Sequence, residues 1–155
     1  MSKNIILKTT LIVFFVVLGA CDSGSKSTSN SCSINDCIKY MINNKYILDG
    51  GESIEHLSEY TLEKNGAIGG FNVDLCIPEY RGGELWDYNC EEVTILKFKN
   101  VDYAKIFIKE YPRSIAKGRW GMQYSRHGGT IKEWSDILIN FCNTCYDGKG
   151  ELLIH

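Results

Sequence analysis

The sequence predicts an α+β domain, and three observations carry that class. Apolar residues recur at helical spacing in some stretches and at a period of two in others. Two helix-start signals stand in the chain, Ser33-x-x-Asp36 and Thr130-x-x-Glu133. Beyond Cys21 there are six cysteines, an even set of the kind that staples small exported domains.

The first helix is predicted over 33–48, where Ile34, Cys37, Ile38, Met41 and Ile42 share a face and Gly50-Gly51 gives the stop. A weaker helix over 53–64 carries Ile54, Leu57 and Thr61 on one side and ends at Asn65-Gly66, so the two are expected to form a helical hairpin. From Ala67 the period changes to two, with Phe71, Val73, Leu75 and Ile77 on one face of a half-buried strand. The segment IPEYRGGELWDYN reads as a long connection rich in glycine and aromatics, and a second strand covers 93–99. A helix over 101–111 ends before Pro112. Trp120, Met122 and Tyr124 alternate as a third strand, and Ile131, Trp134, Leu138 and Phe141 stripe the last helix. A short closing strand is expected over 151–154. Together these give an N-terminal helical hairpin, then an antiparallel or mixed sheet with two packed helices, and no internal repeat.

The amino terminus has a different character. Lys3 and Lys8 are followed by the apolar run from Leu11 to Leu18, which is shorter than the roughly 20 residues a membrane span needs. Directly after it, Leu18-Gly19-Ala20-Cys21 resembles the lipobox of bacterial lipoproteins. The resemblance implies that residues 1–20 are a signal peptide. It also implies that Cys21 becomes the acylated first residue of the mature chain, and that the protein is held on a membrane facing the periplasm. Several acyl chains make a stable anchor where one is marginal. Asp22 is similar to the inner-membrane retention signal of enteric-type lipoproteins. Residues 21–31 contain no apolar side chain after the cysteine and read as a flexible tether, leaving 32–155 as one domain.

Loss of Lys3 and Lys8 with the signal leaves 15 bases against 19 acids, a net charge of −4 with no basic run. That balance argues against nucleic-acid binding, which normally needs a basic excess.

Cys76 and Cys90 flank the long connection, so a bridge at its base is the favoured pairing. Cys32 and Cys37 open the first helix while Cys142 and Cys145 close the last, so cross-links between those ends are expected, for up to three disulfides in all. The spacing Cys142-x-x-Cys145 also occurs in thiol oxidoreductases, but there the thiolate gains from a helix amino terminus, and here the motif follows a helix. A four-sulfur zinc site from the same cysteines competes poorly with oxidation in an exported chain. No hydrolase, zinc-protease or phosphate-loop motif occurs, so no catalytic residue, metal or cofactor is assigned.

Two surfaces remain. Arg126, His127, Gly128, Gly129 and Thr130 lead into the last helix, where free N–H groups favour an anion, although the same residues also suit a plain strand-to-helix turn capped by Thr130. Tyr80, Arg81, Trp86 and Tyr88 lie on the bridged connection, and aromatic and arginine side chains dominate binding hot spots; the alternative is that the aromatics fold back onto the core. The leading expectation is a non-enzymatic, membrane-anchored binding module, of inhibitor or immunity type, that meets a periplasmic protein. The other is an envelope protein or enzyme that binds an anion or small molecule at the Arg126 to Thr130 turn, with thiol redox at Cys142 and Cys145 as a lesser variant.

Overall fold

A computed structural model describes residues 30–125 and 130–155. Residues 1–29, on which the expected signal peptide, Cys21 and most of the expected tether fall, and the four residues Arg126, His127, Gly128 and Gly129 lie outside the described residues.

The chain runs α1 (Ile34–Asn43), β1 (Glu55–His56), α2 (Glu59–Lys64), β2 (Ala67–Arg81), β3 (Glu84–Phe98), α3 (Val101–Glu110), β4 (Ser114–Lys117), β5 (Trp120–Tyr124), α4 (Ile131–Cys142), a 3-10 turn (Tyr146–Gly148) and β6 (Leu152–Ile154). The strands form one six-stranded sheet in the order β1-β2-β3-β5-β4-β6, with every neighbouring pair antiparallel. The α+β class therefore holds, with an antiparallel sheet. No helix among the described residues is long and apolar enough to cross a membrane.

Alternation along the strands splits the core in two. On one face Phe71, Val73, Val93, Ile95, Trp120 and Met122 pack against Met41 of α1 and against Trp134, Leu138 and Phe141 of α4. On the other, Leu96, Phe98 and Ala116 pack against Ala104 and Phe107 of α3, with Leu57 and Leu62 at the margin. Trp120 and Trp134 are both fully buried, and burying a large side chain contributes roughly 1.5–3 kcal/mol, so each is an anchor of its face.

Both predicted capping boxes are present. Ser33 Oγ accepts from the Asp36 N–H, while the Asp36 carboxylate accepts from the Ser33 hydroxyl and from the Ser33 N–H, and these last two bonds hold the Asp36 carboxyl below its ordinary value. Thr130 and Glu133 repeat the arrangement on α4.

The first helix stops earlier than expected, at Asn43 rather than near Leu48. Tyr46 N–H donates to Met41 O at 2.9 Å and Lys45 N–H to Ile42 O at 3.1 Å, the paired bonds of a Schellman motif, with Lys45 at φ 63 in the position glycine usually takes. A lysine there carries the left-handed penalty that glycine avoids. Lys45→Gly is therefore expected to raise stability by about 0.5–1 kcal/mol, read as a higher denaturant midpoint with an unchanged slope.

Candidate docking surface

Strands β2 and β3 are each 15 residues long, far more than their neighbours cover. β1 pairs only with Phe71 and Asn72, and β5 only with the stretch from Val93 to Lys97. Residues 74–81 and 84–92 are thus a two-stranded ribbon that extends past the neighbouring strands, its root buried in the core at Leu75 and Ile77 and its outer part, residues 79–87, exposed. Arg81 pairs with Glu84 across a two-residue turn, and Gly82 and Gly83 stand at φ 62 and 88. Two successive positive φ values are what a type I′ hairpin turn requires, and glycine supplies both. The long connection expected from the sequence is therefore continuous strand with a minimal turn.

Two contacts stiffen the ribbon at its root. Cys76 and Cys90 are directly opposed and joined by a disulfide, as expected. Cys76 N–H donates outward to Tyr46 O at 2.8 Å, tying the ribbon to the segment after α1. Pro78 sits where β3 is its only strand neighbour, so its missing N–H breaks no ladder.

At the tip the register shifts, since Glu79 faces Asp87 but Tyr80 faces Leu85, which leaves Trp86 as the extra residue of a bulge. Trp86 is 62 % exposed, with Tyr80 and Leu85 also exposed, and the Arg81 guanidinium lies 4.5 Å from the centroid of its ring. Trp86 therefore does not fold back onto the core. Tyr88, opposite Pro78, is half-buried. Of the four candidates, three stand at the tip and Tyr88 lies on the shaft.

The ribbon is acidic. Asp74 opposes Glu92 and Glu79 opposes Asp87, two like-charge pairs directly across the ladder, with Glu84 near the turn and Arg81 the one base of the ribbon. Directly opposed like charges destabilise a hairpin. Its disulfide and its pairing must outweigh that repulsion.

The other candidates resolve differently. Cys145 is bonded to Cys32, a pairing 113 residues apart that staples the end of α4 to the chain entering α1. Cys37 and Cys142 remain thiols, each within the core, so the described residues hold two disulfides rather than three. Burial pushes the Cys142 thiol up to about 12 and raises Cys37 well above its ordinary value, so both are protonated at neutral pH. Alkylating reagent is expected to label neither in the folded protein and to label both in denaturant without reductant, as read by intact mass. The sulfurs of Cys32 and Cys145 lie within 4.8 Å of the Asp147 carboxylate, but the disulfide consumes them as ligands. Of the anion-site residues only Thr130 is described; its N–H and hydroxyl both bond Glu133 Oε2, at 2.7 and 2.9 Å.

One feature escaped the sequence altogether. Asn72, Thr94 and Gln123 lie side by side on three adjacent strands and line a cavity of about 400 Å³ between α2 and the end of α3. Finding them required the strand register, because each looks like an ordinary outward-facing polar residue in its own strand.

Compared with known proteins, the chain matches no family model, no curated protein and no solved structure. Fold and surface together define a disulfide-stapled α+β domain that presents an aromatic, acidic β-ribbon.

Proposed function

We propose that this chain is a lipid-anchored bacterial envelope protein and a non-enzymatic binding module, which docks a partner protein through the tip of the β2–β3 ribbon. The observation that carries the reading is the exposed Trp86, stacked on Arg81, with Tyr80 and Leu85 also exposed, on a ribbon braced by the Cys76–Cys90 bond. A pre-stiffened aromatic surface loses little entropy on association. The acids along the shaft favour a partner face of positive potential, which steers encounter and penalises acidic competitors. The anchor is supported by the lipobox-like Leu18-Gly19-Ala20-Cys21, and an oxidising compartment by the disulfides.

A photo-reactive residue replacing Trp86, irradiated in living cells, is expected to cross-link one envelope protein. Trp86→Ala and Arg81→Ala are then each expected to weaken binding of that purified protein at least roughly tenfold, a loss in the hot-spot range. Undiminished affinity in both variants would remove the ribbon from the proposal. Intact mass of the membrane-extracted protein tests the anchor, since a chain beginning at anything other than an acylated Cys21 excludes it.

A further inference from the structure

The sheet face turned towards α2 and α3 is built in rows, because the antiparallel register sets residues of three strands abreast. Gly70, Leu96 and Gly121 form one row, and Asn72, Thr94 and Gln123 the next. In the first row the glycines act through their size. A Cβ at Gly70 would come within 2.9 Å of Leu57, and one at Gly121 within 2.7 Å of Phe98 and 3.1 Å of Phe107. Apolar side chains therefore press onto the sheet there and close that end.

Over the second row the covering stops, leaving the cavity of about 400 Å³, within the size range of small-molecule sites. Buried Leu96 and Phe107 line its base, and Tyr60 and Tyr111 flank it. Thr94 donates its hydroxyl hydrogen to Asn72 Oδ1 at 2.8 Å, which fixes the Asn72 amide and leaves Thr94 Oγ1 as an acceptor. The Asn72 amide N–H groups and both ends of the Gln123 amide have no protein partner among the described residues, although both side chains are half-buried. With strands about 4.8 Å apart, the row spans about 10 Å.

Its electrostatics narrow the ligand. Lys64 is the only ordinarily charged side chain among the described lining residues, and the next row outward is the acidic pair Asp74 and Glu92. An anion would meet those acids and Glu55, which stands abreast of Asn72 on β1, while a cation would meet Lys64 inside the cavity, where no described lining residue is a carboxylate. Side-chain amides and a hydroxyl offer donors and acceptors in equal measure, as hydroxyl groups do, and aromatic rings suit the C–H face of a sugar. We infer that this cleft binds a neutral, polyhydroxylated ligand, a saccharide unit whose hydroxyls meet the Asn72, Thr94 and Gln123 row and whose apolar face lies on Tyr60.

The test is a titration of the isotope-labelled protein with neutral trisaccharides (maltotriose, cellotriose and N,N′,N″-triacetylchitotriose), with trigalacturonate as the anionic probe and a glucosamine trimer as the cationic one. The side-chain amide resonances of Asn72 and Gln123 are expected to shift with at least one neutral sugar, with a Kd of about 1 mM or tighter. Gln123→Ala and Tyr60→Ala should each weaken that binding at least about tenfold, and Tyr60, being 76 % exposed, can be removed without loss of core packing. Trp86→Ala should leave it unchanged. No amide shift with any neutral sugar at about 20 mM, a stronger response to either charged trimer, or full affinity in both cleft variants would overturn the inference.

Discussion

Asp147→Ala is expected to lower folding stability by about 3–5 kcal/mol, the range found when one member of a buried ion pair is removed. The Asp147 and Lys97 side chains are only 3 % and 8 % exposed, and Lys97 Nζ lies 2.7 Å from Asp147 Oδ2. The carboxylate also accepts from the Ser31 hydroxyl, from Cys32 N–H at 3.2 Å and from Trp120 Nε1 at 3.3 Å, while Lys97 donates to Ser31 Oγ and to Cys32 O. One carboxylate therefore ties the start of the domain to β3, β5 and the turn after α4. Truncation strands a buried ammonium and an indole N–H, each costly when unpaired. Lys97→Met combined with Asp147→Ala should recover part of the loss, since no buried charge remains, but not all of it, because Cys32 N–H and Trp120 Nε1 stay unmet.

The same network sets a pH dependence. Burial alone pushes the Asp147 carboxyl up, but bonds from Lys97, Ser31, Trp120 and Cys32 together bring it below its ordinary value near 3.8. The unfolded chain thus binds a proton at Asp147 at higher pH than the folded one does, so stability rises with pH across that interval. This contribution is complete above the unfolded value and fades as pH falls below about 4. Denaturant midpoints of the protein measured from pH 7 down to pH 3 should fall more steeply than those of Asp147→Asn.

How much of this was legible depends on whether the signal was local. The caps of α1 and α4 and the apolar stripe of α4 could be read because each lies within a few residues. The Cys76–Cys90 bond followed from the two strand-like runs that flank it. The ribbon between them was hidden by its composition, since Pro78 and Gly82-Gly83 suggest a loop, yet a Gly-Gly pair between strands is also the sequence of a tight hairpin turn. The end of α1 was missed because a lysine occupies the position where glycine would have marked it. β4 is four residues between Pro112 and Gly118, too short to display a period. Trp86 and Arg81 stood out by residue type, whereas the Asn72, Thr94 and Gln123 row exists only through pairing between distant strands.

Removing the Cys32–Cys145 bond, by Cys32→Ala with Cys145→Ala, should be the other large effect, and it should differ in kind from removing Cys76–Cys90. In the chain-entropy account a cross-link stabilises by restricting the unfolded ensemble, and its worth grows slowly with the loop it closes. A separation of 113 residues implies about 5 kcal/mol, and one of 14 residues about 3 kcal/mol. The longer bond also positions Cys32, whose N–H and C=O bond Asp147 and Lys97, so its loss and Asp147→Ala should be less than additive when combined. The shorter bond lies in a ribbon that extends past the neighbouring strands, where two opposed acid pairs already push the strands apart. Cys76→Ala with Cys90→Ala should therefore show the smaller fall in global stability but earlier amide exchange in residues 74–92, with weaker partner binding because the tip must then be ordered on contact. Denaturant melts and hydrogen exchange on the two double variants separate these outcomes. A ribbon that stays as protected without its disulfide would mean that the β2–β3 ladder alone holds Trp86 in place.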